Sequence, residues 1–203
     1  MQIAAMTTGE AAELIYSSAR ELCLSRGRAI IAVDGRCAGG KTTLALAAQT
    51  LIRNNGIPCR ALHTDDFFLR PEQRTEQRMS EPGGNVDYER LISEVLLPLS
   101  RGESFIYRPY RCHGEQPAPY PVDPCGVTLI EGAYSLRPDM RGYYDYMIFA
   151  EVSSELQSER ITGRNGAVGA RAFAEKWIPL EERYIEATHP ELAADSVIRL
   201  VGK

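Results

Sequence analysis

Lysine is scarce in this chain. Only three of the 23 basic residues are Lys, at positions 41, 176 and 203, so Lys41 has few substitutes for any task that needs an ammonium group. Basic charge is not in excess either: the net charge is −4, which excludes a nucleic-acid partner held by general electrostatics. The five cysteines, Cys23, Cys37, Cys59, Cys112 and Cys125, contain no C-x-x-C pair. Their odd number and wide spacing suit neither a structural zinc site nor a disulfide framework, and free thiols fit a reducing cytoplasm. No apolar run approaches the roughly 18 residues of a membrane span. The N-terminal stretch also lacks the basic-then-apolar order of a secretory signal. A soluble cytoplasmic protein without a nucleic-acid or membrane partner is expected; oligomeric state stays open, a homo-oligomer included.

What is present is an ordinary globular composition, 44% hydrophobic and 25% charged over 203 residues. That length holds one α/β domain with a substantial core, and residues 1–203 are read as one domain. Residues 8–26 have helical periodicity and stop at Gly27. "RAIIAV" is a short β-branched run suited to a central parallel strand. A helix over 41–55, a strand over 58–64 and a polar excursion over 67–86 follow, the last expected to be mobile. Residues 87–100 read as a helix, "SFIYR" as a strand, and the proline-dense stretch to Pro124 as an ordered connection. "GVTLIEG" and "YDYMIFAEV" are further strands. A helix capped by Ser153 or Ser154 runs into a glycine-rich turn, a helix containing Pro179 follows, and "SVIRLV" closes the pattern. Strands alternating with helices imply a mainly parallel sheet with right-handed crossovers.

Residues 35–42 carry the chemistry. Gly35, four residues, then Gly40, Lys41 and Thr42 form G-x-x-x-x-G-K-[ST] between a strand and a helix. The fold class expected is therefore α/β: a P-loop NTPase three-layer sandwich with a mainly parallel central sheet, helices on both faces and a small lid. Gly35, Arg36, Cys37, Ala38, Gly39, Gly40, Lys41, Thr42 and Thr43 should cradle the phosphates of ATP, largely through backbone amides at a helix N-terminus. Lys41 should reach the β- and γ-phosphates, and the Thr42 hydroxyl should bind Mg²⁺. Cys37 reads first as a small residue that merely fits the loop; the alternative is a thiol whose pKa the helix end and Lys41 lower, making it alkylatable. No N-K-x-D segment for guanine occurs.

Two acids close the second strand in "LHTDDFF". Parallel α/β sheets bind ligands at the carboxyl ends of their strands, so Asp65 or Asp66 should face the phosphate loop and accept a hydroxyl proton. Glu131 ends "LIEG", where an acid can orient the Mg²⁺ shell. Arg160 and Arg164 share a helical face beside Gly163 and Gly166, suiting them to close over a triphosphate. Arg70, Arg74 and Arg78 would form a cationic stripe if their segment were helical, with Glu72 and Glu76 to neutralise it. Trp177 is expected to pack in the core.

With these segments together the chain resembles the uridine kinase, phosphoribulokinase and pantothenate kinase group of P-loop kinases, and most of all bacterial uridine kinase-like proteins. The segments that carry the likeness are "VDGRCAGGKTT", "HTDDFF", "GGNVDYERL", "LIEGAY", "ERITGRNG" and "WIPLEERY". The resemblance implies an ATP- and Mg²⁺-dependent kinase acting on a small-molecule hydroxyl, a nucleoside 5′-hydroxyl first, a sugar, sugar phosphate or hydroxy acid second. It also implies that Asp65 is the base, that Asp87 grips substrate hydroxyls and that Arg160 and Arg164 belong to the lid. Phe68 stands where uridine kinases carry a tyrosine on the base-binding side. Tyr107, Arg108, Arg111 and His113 are further acceptor-site candidates. A nucleotide-dependent switch without an acceptor is the reading from another class.

Overall fold

The computed structural model describes residues 3–112, 114–124 and 126–201; His113 lies outside them. The first half of the chain forms β1 (Ala4–Met6), α1 (Thr8–Arg26), β2 (Arg28–Gly35), α2 (Lys41–Asn54) and β3 (Cys59–His63). Short helices α3 (Glu76–Ser80), α4 (Tyr88–Leu91) and α5 (Leu97–Arg101) follow. Then come β4 (Phe105–Tyr107), β5 (Tyr120–Val122), β6 (Gly126–Glu131), α6 (Pro138–Arg141) and β7 (Tyr146–Glu151). The chain closes with α7 (Ser154–Ala172), α8 (Ile178–Thr188), α9 (Pro190–Ala193) and β8 (Ser196–Leu200).

Six strands form one parallel sheet in the order β1-β8-β7-β2-β6-β3. Strand β2 is central because it is apolar on both faces. Ala29, Ile31 and Val33 pack under α1 and α2, while Ile30 and Ala32 face the opposite layer with Leu91, Leu99, Met140 and Tyr184. Full burial of an Ile or Leu side chain is worth about 1.5–3 kcal/mol, so a one-residue slip of β2 would undo both layers at once. Helix α1 begins where Thr7 accepts from the Glu10 amide at 3.2 Å and the Glu10 carboxylate accepts from Thr7, a reciprocal cap. It ends at Gly27 in the left-handed region, φ 75°.

Several elements differ from expectation. Strand β1 lies in a stretch too short to carry a periodic signal; it is stabilised by pairing with β8. Strand β4 leaves the main sheet and pairs antiparallel with β5, inside the proline-dense connection. The glycine-rich turn expected after the first part of α7 is a break at Gly166 (φ 68°, ψ 176°); helix then resumes, and a π-helical turn, Phe173–Trp177, leads into α8. The 67–86 excursion is anchored. Phe67, Leu69 and Val86 are buried, and Phe68 bridges to Val86. Arg78 is bound bidentately by Glu89 at 2.5 and 2.6 Å, with Gly84 and Val86 carbonyls at 2.9 and 3.0 Å. The segment 70–78 is a 3-10 turn followed by α3, so the three arginines do not share one helical face.

Asp34, 1% exposed, fastens these layers together. Its carboxylate accepts from the amides of Gly35 (2.7 Å), Tyr134 (3.0 Å) and Leu136 (2.8 Å) and from the Tyr184 hydroxyl (2.6 Å). Burial raises its pKa, and these hydrogen bonds oppose the rise. Asp34→Ala should therefore cost about 3 kcal/mol or more, since it leaves buried donors unpaired. Equilibrium urea unfolding measures this; a midpoint unchanged from the parent protein would show that the four bonds are not needed for stability.

Candidate active site

At the end of β2 the phosphate loop turns on Gly35, whose φ is 142° and whose Cβ, if present, would lie 2.1 Å from the Ala150 carbonyl oxygen. No other residue fits there without moving β7. Gly40 (φ 90°) then leads directly into α2, so the helix N-terminus opens onto the loop. Lys41 Nζ folds back on the loop, donating to the Gly35 carbonyl at 2.7 Å and the Arg36 carbonyl at 2.9 Å. Cys37, Ala38, Gly40, Lys41, Thr42 and Thr43 line the cleft in front of it. Gly35, Arg36 and Gly39 shape the loop from behind: the Arg36 guanidinium pairs with Glu151 at 3.3 Å and with Glu182, and Gly39 donates to the Arg36 carbonyl at 3.0 Å.

Glu181 and Gln157, which the motif search did not single out, hold Cys37 in place. Glu181, 3% exposed, accepts the Cys37 amide at 2.5 Å. Gln157 donates to Glu181 at 2.9 Å, to the Cys37 carbonyl at 3.2 Å and to its Sγ at 3.1 Å. This environment agrees with a small residue that fits and argues against the alternative of a reactive thiol. Burial, reinforced by the Glu181 charge, pushes the Cys37 thiol up to about 12, outweighing the pull of Lys41.

The metal-binding candidates meet across the strand ends. Register places Val33, Glu131 and His63 side by side on β2, β6 and β3. Thr42 Oγ1 donates to Glu131 at 3.1 Å, and His63 Nδ1 lies 2.5 Å from the same carboxylate. Hydrogen bonding to Glu131 is the main cause of a raised His63 pKa. Among the described residues no group of three His, Cys, Asp or Glu side chains forms a metal cage. One hydroxyl and one carboxylate are what Mg²⁺ takes from a protein when phosphates and water supply the remaining ligands, so the donor set fits.

The two acids diverge because Thr64–Phe67 is a 3-10 turn, not a continuation of β3. Asp66 accepts from the Tyr107 hydroxyl at 2.8 Å. The Asp65 carboxylate opens onto the cleft and accepts no hydrogen bond among the described residues. Desolvation by the cleft walls, then the Glu131 charge, raises its pKa, with Lys41 opposing.

The cleft holds about 990 Å³. Arg160 and Arg164 both line it, with Arg160 donating to the Ala38 carbonyl at 3.0 Å and Arg164 lying 5.5 Å over the Phe173 ring. Phe68 and Arg111 line it too. Trp177 lies in its wall, stacked under Lys176 at 4.6 Å, and not in the core as its size suggested. Three acceptor candidates lie elsewhere. Asp87 caps α4, accepting from the Arg90 amide at 3.1 Å and from Gln73 at 2.8 Å. Tyr107 is buried between Asp66 and the His63 backbone, and the exposed Arg108 faces Glu94 at 3.9 Å. The hydroxyl-gripping role that the resemblance implies for Asp87 falls on a side chain that caps α4 in this structure.

These features define a class: a phosphate loop, a facing acid and a sheet whose central strand feeds the loop are the makings of a P-loop kinase. The structure of a protein provisionally described as a uridine kinase from Bacillus stearothermophilus superposes with a TM-score of 0.67 and 20% identity, covering 91% of this chain and 99% of that one. One provisionally described as a fructose transport system kinase from Silicibacter sp. TM1040 gives 0.70 and 25% identity, covering 95% and 96%. Over 205 aligned positions the chain is 27% identical to the bifunctional alpha-galactosidase/sucrose kinase AgaSK of Mediterraneibacter gnavus. That match covers 90% of this chain but only 22% of the length of that relative. No family model matches. The chain has the uridine kinase-like fold of the P-loop kinase group.

No helix among the described residues is long and apolar enough to cross a membrane. Thiol labelling checks the packing of the loop. In the folded protein iodoacetamide should modify the exposed Cys112 at pH 8 while Cys37 stays unlabelled, as read by peptide mass spectrometry. Equal labelling of both would mean that Glu181 and Gln157 do not enclose Cys37.

Proposed function

We propose that this protein is an ATP- and Mg²⁺-dependent kinase that transfers the γ-phosphoryl group to a hydroxyl of a small molecule. The observation that carries the reading is the Asp65 carboxylate, which accepts no hydrogen bond among the described residues and opens onto the same cleft as Lys41, Thr42 and Glu131. A switch protein has no need of an unengaged base there.

The chain's own groups supply the rest. The loop amides and the α2 N-terminus orient the triphosphate, and Lys41 exchanges the Gly35 and Arg36 carbonyls for phosphate oxygens. Thr42 and Glu131 would hold Mg²⁺, which neutralises phosphate charge when bound. Asp65 accepts the acceptor's proton as its oxygen bonds to phosphorus and the bond to the ADP oxygen breaks. Arg160 and Arg164 stabilise the charge shared between entering and leaving oxygens and help to exclude water.

The acceptor is read as sugar-like in preference to a nucleoside. The relatives at 27% and 25% identity bear sugar-kinase names, and Phe68 lacks the hydroxyl expected beside a base. Trp177, Phe68 and Tyr134 in the cleft walls favour a nucleoside as the second reading, because aromatic faces stack on bases. A cytoplasmic setting, a small-molecule partner and no nucleic-acid or membrane partner belong to the same proposal, supported by the free thiols of Cys23, Cys37, Cys59 and Cys112.

Asp65→Asn keeps the shape but removes the base, so transfer should fall by about 10² or more while binding of an ATP analogue survives. In the parent protein, activity should be lost as pH falls through a pKa above the ordinary aspartate value of 3.8, because the raised pKa keeps Asp65 protonated over that range. Steady-state rates of ADP release with an active acceptor measure both; an unchanged acid limb in Asp65→Asn assigns it to another group. Lys41→Ala should slow transfer by on the order of 10² or more in a protein that still folds. Near-normal turnover in that variant would remove the phosphate loop from the mechanism.

A further inference from the structure

Arg74 and Arg111 in the cleft wall and the nearby Arg70 lack a carboxylate partner among the described residues. Arg74 and Arg111 line the cleft. Arg74 is aimed by two bonds to the Leu69 carbonyl, 3.0 Å from Nε and 2.8 Å from Nη2, and touches Cys112 Sγ at 3.2 Å. Arg70 lies 5.7 Å over the Tyr110 ring. The Tyr110 amide donates to the Asp66 carbonyl at 2.8 Å, which pins the 108–112 segment against the turn carrying Asp65. Reciprocal bonds between Gln116 and the Arg111 backbone, at 3.0 and 2.8 Å, fix the turn that presents Arg111.

Neighbouring arginines are treated differently. Arg78 pairs with Glu89 at 2.5 Å, Arg137 with Asp139 at 2.8 Å, and Arg90 sits near Asp87 and Glu94 at 3.8 and 3.9 Å. Glu72, Glu76 and Glu115, the acids nearest to this group in sequence, form no ion pair with it among the described residues, and Asp66 is bonded to Tyr107. Holding like charges together without partners costs Coulomb energy, which an incoming anion offsets. The guanidinium fork matches phosphate and carboxylate oxygens in pairs.

We infer that the acceptor carries a phosphate or carboxylate group, bound by Arg74 and Arg111, while its reacting hydroxyl faces Asp65. The inference rests on the kinase reading of this cleft and narrows the acceptor to an anionic polyol: a phosphorylated sugar or a hydroxy acid.

Calorimetric titration of the full chain, saturated with Mg²⁺ and a non-hydrolysable ATP analogue, tests it without turnover. Glycerol 3-phosphate and glycerate are the probes, and glycerol is the neutral control. Both anions should bind and glycerol should not, with affinity falling about tenfold or more in Arg111→Gln and partly restored in Arg111→Lys. The two anions separate phosphate from carboxylate recognition. Binding lost once the analogue fills the phosphate loop, or unchanged in Arg111→Gln, would overturn the inference. In turnover, fructose 6-phosphate should exceed fructose in kcat/KM by about tenfold or glycerate should exceed glycerol likewise, and Arg111→Gln should raise KM for the anion alone. Preference for the neutral member of both pairs also overturns it. Anion binding that survives nucleotide saturation, with no transfer to any acceptor, supports the anion site and sinks the kinase reading instead.

Discussion

A buried carboxylate organises this molecule. Asp34 sits at the carboxyl end of the central strand with two backbone amides from the loop after β6, one from the phosphate loop and a hydroxyl from α8 all directed at it. Removing an acid from water is unfavourable unless its lone pairs are satisfied, and here four donors do so. The consequence reaches beyond stability. The start of the phosphate loop, the segment after Glu131 and the helix carrying Glu181 are held in one arrangement, so the cleft is shaped without any ligand.

The same economy of donors shapes the cleft. Lys41 is satisfied by loop carbonyls, Thr42 and His63 by Glu131, and Arg160 by Ala38. Asp65 is the exception, an acid with accessible oxygens and no donor among the described residues, in surroundings that disfavour its charge. Such a group gains by taking a proton, which is what a general base does. Arg74 and Arg111 line the same cleft as Asp65, so the proposed proton acceptor and the proposed anchor of the substrate are carried by separate groups of opposite charge.

The lid base is joined to the phosphate loop more closely than a hinged flap would be. Gln157 on α7 and Glu181 on α8 both bind Cys37, so the roots of the arginine-bearing helix are fixed to the loop it serves. The kink at Gly166 lies beyond these roots and beyond both arginines. Movement there would reposition the Phe173–Trp177 wall of the cleft while leaving Arg160 near Ala38.

Much of this was legible in residue order because it depends on local rules. A glycine-lysine-threonine loop between a buried strand and a helix has one structural meaning, and two-sided burial of "RAIIAV" places that strand at the centre of a parallel sheet. Helix caps at Thr7, Ser153 and Gly27 are likewise decided by neighbouring residues. What only the tertiary structure decided are the partnerships across distance. Nothing in "VDG" announces that Asp34 meets Tyr134, Leu136 and Tyr184, and nothing in "NVDYE" tells a helix cap from a substrate ligand. Which of Arg70, Arg74 and Arg78 faces the cleft depended on a broken helix, and Trp177 lies in the cleft wall on the π-helical turn that precedes α8. Hydrogen bonds and charges pair by proximity in space, and proximity among residues a hundred positions apart is set by the packing of the whole sheet.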